Sequence, residues 1–375
     1  MKYFFIRIIL MQLFVLVIIS SDAQSLPCGN SKIDKQSIQK AIDYEKLHAN
    51  DKAKILSAPG TVMRVYFHVF RNDDGTQAAA TAAQISTEFS TLLSYYAGDG
   101  ICFQNLGTEF INNTGLNQNF NADNDKTGTG LSAYETPNCI NIFYMQKIGG
   151  NNKACNPPCG YGGITLSIPD TCTIISNGNV NDGVTVGHEV GHVFGLLHTF
   201  ETANGYEDID GSNSSTSADL ISDTPADPFA YNGKSCYSAS GCNNYTGSCQ
   251  DPKGKSNFSP PYTNMMSYWY NNPSSGCTTT ATVTNGQYTR VSSTISTNTP
   301  LQNCTVPSSI TVSNISVSSG YYMSSATATL NTSSTVILAG TAKCTLAANT
   351  VLLEPGALAS PASGGLIRII PNTCN

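Results

Sequence analysis

The residues of this 375-residue chain best suited to chemistry are His188, Glu189, His192 and His198, in the run His188-Glu189-Val190-Gly191-His192-Val193-Phe194-Gly195-Leu196-Leu197-His198. On a helix, residues four apart share one face, so His188 and His192 can offer two imidazole nitrogens to one metal ion. Glu189 lies beside them and can take a proton from a water at that metal. Gly195 permits a left-handed turn that ends the helix, after which the chain can bend back and bring His198 to the same ion. Three neutral nitrogens with a fourth position open describe a catalytic zinc set rather than a structural one. The chemistry of such a set is hydrolysis, above all of peptide bonds.

Several elements must hold these residues. The segment Asp182-Gly183-Val184-Thr185-Val186 puts an Asp and a Thr just before an apolar run, as a capped and buried helix would. Thr61 to Phe70 reads as an apolar strand, and Thr81 to Tyr96 carries Ile85, Phe89, Leu92 and Leu93 at helical spacing. Cys139 to Met145 reads as a central strand and Gly162 to Ser167 as a strand bordered by glycines. This order suits a twisted sheet above a cleft whose floor is the metal helix, with an edge strand able to pair with an extended peptide. Of the two remaining histidines, His48 sits in a charged stretch, and His68 in Val65-Tyr66-Phe67-His68-Val69-Phe70 reads as a structural strand residue.

The rest of the chain bounds the setting. Residues 1–23 read as a signal peptide, with Lys2 and Arg7, an apolar centre from Ile8 to Ile19, and the small-x-small site Ser21-Asp22-Ala23. Without them, 17 basic face 24 acidic side chains, a net charge of −7 that argues against a nucleic-acid partner. No later segment is apolar enough to span a membrane, which favours secretion. Thirteen cysteines fit an oxidising compartment, and the odd count leaves at least one without an intramolecular partner. Cys28, alone near the mature N-terminus, is the candidate. Its thiolate can close the open zinc position and silence a zymogen; that Cys28 instead joins a disulfide stays open. Residues 24–58, rich in Lys, Asp, Gln and Ala, read as a removable propeptide. Between His198 and Met266 lie Glu201, Glu207, Asp208, Asp210, Asp219, Asp223 and Asp227, oxygen donors of the kind calcium takes, or simply a solvated acidic loop.

Asn264-Met265-Met266-Ser267-Tyr268 resembles the Met-turn N-x-M-x-Y of the pappalysin (cytophagalysin) metallopeptidases, a branch of the metzincins. Asp219-Leu220-Ile221-Ser222-Asp223-Thr224-Pro225 resembles their G-D-x-x-x-D-T-P segment, and Thr284-Asn285-Gly286-Gln287-Tyr288-Thr289-Arg290 their T-x-x-Q-x-x-R helix. Phe67-His68-Val69 resembles an early F-H-V strand, so the likeness runs from about Thr61 to about Thr297. The resemblance implies that Met266 forms the apolar base beneath the zinc ligands and that Tyr268 donates its hydroxyl to the oxyanion of the tetrahedral intermediate. It makes Glu189 general base and then proton donor to the leaving amine. It also implies calcium at the D-T-P segment, on Asp219 and Thr224 with Asp223 behind them.

This chain departs from the family at three places. Ser214 and Ser222 stand where relatives often carry a cysteine pair, and Ala218 stands where many have Gly. Trp269-Tyr270-Asn271-Asn272 lacks the acid that some members place after the Met-turn to receive a basic side chain, which weakens an arginine preference. After Cys304 the texture shifts to alternating Ser, Thr, Val, Ile and Ala with few charges, resembling the stacked-strand modules appended to secreted Bacteroidetes proteins. The expected architecture is therefore α+β: residues 1–23 a signal peptide, 24–58 a propeptide, 59–303 a metzincin-type catalytic domain with a mixed sheet over the zinc helix, and 304–375 a small all-β module. The expected activity is that of a secreted zinc endopeptidase acting on proteins or peptides. The rival is a surface-binding or adhesive protein with a vestigial peptidase domain, against which stands the full set of Glu189, three His, Gly195, Met266 and Tyr268.

Overall fold

A computed structural model describes residues 31–49, 61–122, 130–150, 160–231, 236, 244–269 and 281–307, and beyond these the backbone of strands between 309 and 370. In chain order, β1 (Lys32–Ile33) and α1 (Lys35–Leu47) come first. They are followed by β2 (Thr61–Arg71), α2 (Ala82–Tyr96), β3 (Ile101–Asn112), α3 (Thr114–Asn119), β4 (Ile140–Met145), β5 (Gly163–Ile164), β6 (Ser167–Ile168) and β7 (Cys172–Ser176). The helix carrying His188 and His192 is α4 (Thr185–Val193), and α5 (Asn285–Thr297) and α6 (Thr299–Asn303) come after a long loop region.

The sheet has the order β3-β2-β4-β7-β5, parallel except for β5, which runs antiparallel to β7 at one edge. A parallel strand covered on both faces reads as a continuous apolar run rather than an alternation. Thus β2 and β4 lie side by side in the interior, with Val65 opposite Ile140. On one face Phe67, Val69, Ile142, Tyr144 and Ile175 pack against Ile85, Leu92 and Tyr96 of α2 and Val186, Val190 and Val193 of α4. Helix α4, which carries His188 and His192, is therefore seated in the main core. On the other face Phe70, Phe143, Met145 and Ile174 meet Phe120, Leu131 and Tyr161 from covering loops. His68 is fully buried on this side, stacked 4.4 Å from Phe143 and hydrogen-bonded to Glu109 (2.7 Å) and Asn141 (2.9 Å), a structural position.

Helix α2 begins at Thr81, whose hydroxyl accepts from Gln84 N while the Gln84 side chain accepts from Thr81 N. This reciprocal cap stabilises the first turn by about 1 kcal/mol. The Gly162–Ser167 strand is split in two, because β5 pairs with β7 whereas β6 pairs with β1. Several elements have no counterpart in the sequence reading, among them the long strand β3, the sheet strand β7 and helix α1. The latter lies within the 24–58 segment, yet Ile38 packs with Ile168 and Leu197, and Glu45 binds the guanidinium of buried Arg290 at 2.6 Å. Residues 1–23 and Cys28 lie outside the described residues. Among the described residues no helix is long and apolar enough to cross a membrane.

Beyond Val306 the described strands pair only in parallel, each with strands three places away. β8 (Ser309–Val312), β11 (Thr329–Thr332) and β14 (Thr350–Leu353) make one sheet. β9 (Ile315–Val317), β12 (Val336–Leu338) and β15 (Ala359–Pro361) make a second, and β10 (Tyr321–Ser325), β13 (Lys343–Ala347) and β16 (Leu366–Ile370) a third. A chain that returns to the same sheet at every third strand is winding as a coil with three strands per turn.

Candidate active site

The site begins with the cap of α4. Asp182 accepts from the backbone N–H groups of Val184 (2.9 Å) and Thr185 (2.8 Å), donors that a helix start leaves without intrahelical partners. His188 and His192 follow one turn apart. Gly195 adopts φ +83°, the left-handed conformation expected of the residue that ends this helix. His198 is thereby returned to the two helical imidazoles.

The three Nε2 atoms converge, with His198 Nε2 3.3 Å from that of His188 and 3.2 Å from that of His192. Tetrahedral zinc with Zn–N bonds of about 2.0–2.1 Å requires ligand nitrogens roughly 3.3 Å apart, so the donor set fits the ion. The far sides of the helical rings are fixed as well. His188 Nδ1 donates to Met265 O (2.5 Å) and His192 Nδ1 to Leu196 O (2.7 Å), which leaves each Nε2 lone pair facing the common point. Burial lowers all three pKa values, that of His188 to about 4, and the neighbouring imidazoles depress His192 and His198 further. The rings are neutral at physiological pH, the form in which they ligate metals. Among the described residues no other group of three His, Cys, Asp or Glu converges in this way.

Glu189 is fully buried beside the trio. The Thr165 hydroxyl, just past edge strand β5, lies 3.1 Å from Glu189 Oε2 and 2.9 Å from its backbone oxygen. Gly163 of β5 passes so close that a β-carbon there would collide with the Glu189 carboxylate. The edge strand thus runs directly over the acid, at the rim where an extended chain can add.

The following turn closes the site from beneath. Asn264 and Gln287 exchange side-chain hydrogen bonds (2.8 and 3.0 Å), Met266 N donates to Asn264 Oδ1 (2.9 Å), and Thr199 N donates to Met266 O (3.1 Å). Met266 is fully buried under α4, and the Tyr268 hydroxyl lies 3.3 Å from His198 Nε2. Phe200 stacks on the His198 ring at 4.6 Å, and both Phe200 and Phe229 pack against Tyr268.

No protein-family model matches the chain. Over 198 residues it is 32% identical to an extracellular metalloprotease of Podospora anserina, covering 49% of this chain and 62% of that one. Over 279 residues it is 28% identical to an extracellular metalloprotease of Neurospora crassa, covering 71% of this chain and 86% of that one. This chain resembles extracellular metalloproteases. The chain thus spans 62% of the Podospora protein and 86% of the Neurospora protein. Among solved structures, a point mutant of Tannerella forsythia promirolysin aligns with a TM-score of 0.47 and 16% identity over 74% of this chain and 95% of that one.

The residues expected at calcium divide. Thr224 Oγ1 lies 2.9 Å from Asp219 Oδ2 and 2.8 Å from Ile221 O, and Asp219 is fully buried. Asp223 faces away and caps α5, accepting from Thr284 Oγ1 and Gly286 N, both at 2.7 Å. Glu207 is buried nearby, and burial with the neighbouring Asp227 and Asp208 pushes its pKa to about 8. Cysteine pairing is also more varied than the odd count suggested. Cys236 and Cys249 form a disulfide, whereas Cys139, Cys172 and Cys304 are buried thiols, so Cys28 is not singled out by elimination. Thr165 was not legible as a site residue, because its role depends on an edge strand passing over the helix.

Proposed function

We propose that this protein is a secreted zinc-dependent endopeptidase of the pappalysin type, acting on proteins or peptides. The observation that carries the reading is the convergence of three neutral imidazole nitrogens at 3.2–3.3 Å, with Glu189 and the Tyr268 hydroxyl beside them. When bound, zinc supplies a Lewis acid that makes water nucleophilic at neutral pH and polarises the scissile carbonyl. His188, His192 and His198 would hold it.

The chain's own groups divide the remaining work. Glu189 takes the proton of the attacking water and passes it to the leaving amine, and the Thr165 hydroxyl orients its carboxylate. The Tyr268 hydroxyl donates to the oxygen that gains negative charge. Edge strand β5 pairs with the extended substrate and sets the peptide over Glu189. Cys28 would close the open position before activation. Calcium would sit at Asp219 and Thr224, where two buried carboxyls, Asp219 and Glu207, have raised pKa values that a cation would relieve. The 304–375 strands would form a C-terminal β module.

The test is cleavage of casein or gelatin by the purified protein after leader removal, with and without a zinc chelator. Cleavage that chelator abolishes and zinc restores is the expected result. No cleavage, or cleavage indifferent to chelator, contradicts the reading.

A further inference from the structure

Asp227 is 1% exposed and lies outside the metal-binding run and the Met-turn, yet it joins them. Its Oδ2 accepts from Thr199 Oγ1 (2.6 Å) and Ser267 Oγ (2.7 Å). Its Oδ1 accepts from Trp269 Nε1 (2.7 Å) and Phe229 N (3.0 Å). Thr199 directly follows the ligand His198. Ser267 and Trp269 flank Tyr268, and the Phe229 ring packs against the Tyr268 ring at 5.2 Å.

We propose that Asp227 is a positioning residue of the metal centre, a buried carboxylate that ties the third ligand His198 to Tyr268 through four donated hydrogen bonds. The inference rests on the metallopeptidase reading and adds to it the group that sets the spacing between one metal ligand and the oxyanion donor. Four donors occupy the lone pairs of a carboxylate, so Asp227 has little capacity left for a cation, although it belongs to the acidic stretch. The alternatives for this role are weaker. The Thr199 N to Met266 O bond joins the same two segments at a single point, whereas Asp227 fixes both flanks of Tyr268 and its aromatic wall. Hydrogen bonds to an ionised group are shorter and stronger than neutral ones, which suits a clamp on geometry.

The chemistry of the four donors dictates the test. In Asp227→Asn the remaining oxygen still accepts from the two N–H groups, which cannot reorient, while the new amide donates to two hydroxyls, which can. In Asp227→Ala all four donors lose their acceptor. Zinc affinity, measured by competition with a chromophoric chelator, is read beside kcat and KM on a peptide substrate. Asp227→Ala is expected to weaken zinc binding and lower kcat by about 10–100-fold each, the range for groups that orient metal ligands, with KM little changed. Asp227→Asn is expected to recover both to within about threefold. Should Asp227→Ala fail to fold, the single-donor variants separate the two arms: Thr199→Val weakens zinc binding, and Ser267→Ala lowers kcat at unchanged zinc affinity. Wild-type zinc affinity and kcat in the folded fraction of Asp227→Ala, or in both single-donor variants, overturn the proposal. So does an Asp227→Asn that falls as far as Asp227→Ala. Failure of the metallopeptidase reading looks different, because then the wild-type protein itself binds no zinc or cleaves with chelator present.

Discussion

Gly191 of α4 and Met266 of the turn beneath it are in direct contact: a β-carbon on Gly191 would lie 2.6 Å from Met266 Sδ, with Leu196 and Met265 methyl carbons at 3.4 Å. The motif tolerates any residue at this position as far as ligation is concerned. Packing does not. Gly191→Ala gains helix propensity of roughly 0.5–1 kcal/mol but must overpack a core with no room, at a cost of about 1–3 kcal/mol. We expect a lower Tm and weaker zinc binding, measured by thermal denaturation and chelator competition. An unchanged or raised Tm would show that Met266 moves aside freely.

Ala218 adopts φ +49°, a left-handed conformation that costs a residue with a β-carbon about 1–2 kcal/mol. It stands in the loop that leads to Asp219. Ala218→Gly is therefore expected to stabilise the fold by about 1 kcal/mol, less than the full strain because glycine gains freedom in the unfolded chain. Urea denaturation of the two proteins decides it, and a destabilised glycine variant refutes the strain.

Glu88 of α2 is buried in the core, where it accepts from Asn181 N (2.6 Å) and faces the Tyr144 hydroxyl (3.3 Å). Burial, with Asp182 nearby, raises its pKa from 4.5 to about 7. A carboxyl with a raised folded pKa holds its proton longer in the folded state, so its contribution is fully present below pH 4.5 and is lost as pH rises through about 7. The loss amounts to about 3 kcal/mol. Glu88→Gln keeps an acceptor for Asn181 and cannot ionise. Its stability is expected to fall less between pH 4.5 and 8 than that of the wild type, as followed by urea denaturation. Parallel pH profiles would place the Glu88 pKa near its ordinary value.

Arg290 is 1% exposed and bound by Glu45 of α1 at 2.6 Å, with Leu220 O accepting from its Nη2 at 3.1 Å. Removing one partner of a buried pair leaves the other charge uncompensated. Glu45→Ala is expected to cost about 3 kcal/mol, read by chemical denaturation. The same contact predicts that a mature protein cut before Lys32 is more stable than one cut near residue 58. Equal stability of the two forms would mean that α1 is dispensable to the peptidase fold.

The convergence of His188, His192 and His198 beside Glu189, and the turn at Gly195, were legible because each is local: a periodicity, a turn or a short spacing carries the information. Strands β2 and β4 were legible for the same reason, being continuous apolar runs. Helix α1 was not, because it has only Ile38 and Ala41 buried and its anchor, Arg290, lies 245 residues further along. Thr165, Asp227 and the role of Asp223 as a cap for α5 share this character. Each acts through a partner that only the sheet edge or the long acidic loop brings near.

Wild-type protein and Glu189→Ala, compared side by side for bound zinc and for casein cleavage, test the central claim most directly. The account predicts one zinc per chain in both, because His188, His192 and His198 are untouched, with cleavage by the wild type and essentially none by Glu189→Ala. Equal cleavage by the two proteins, or wild-type protein that holds no zinc, would contradict it.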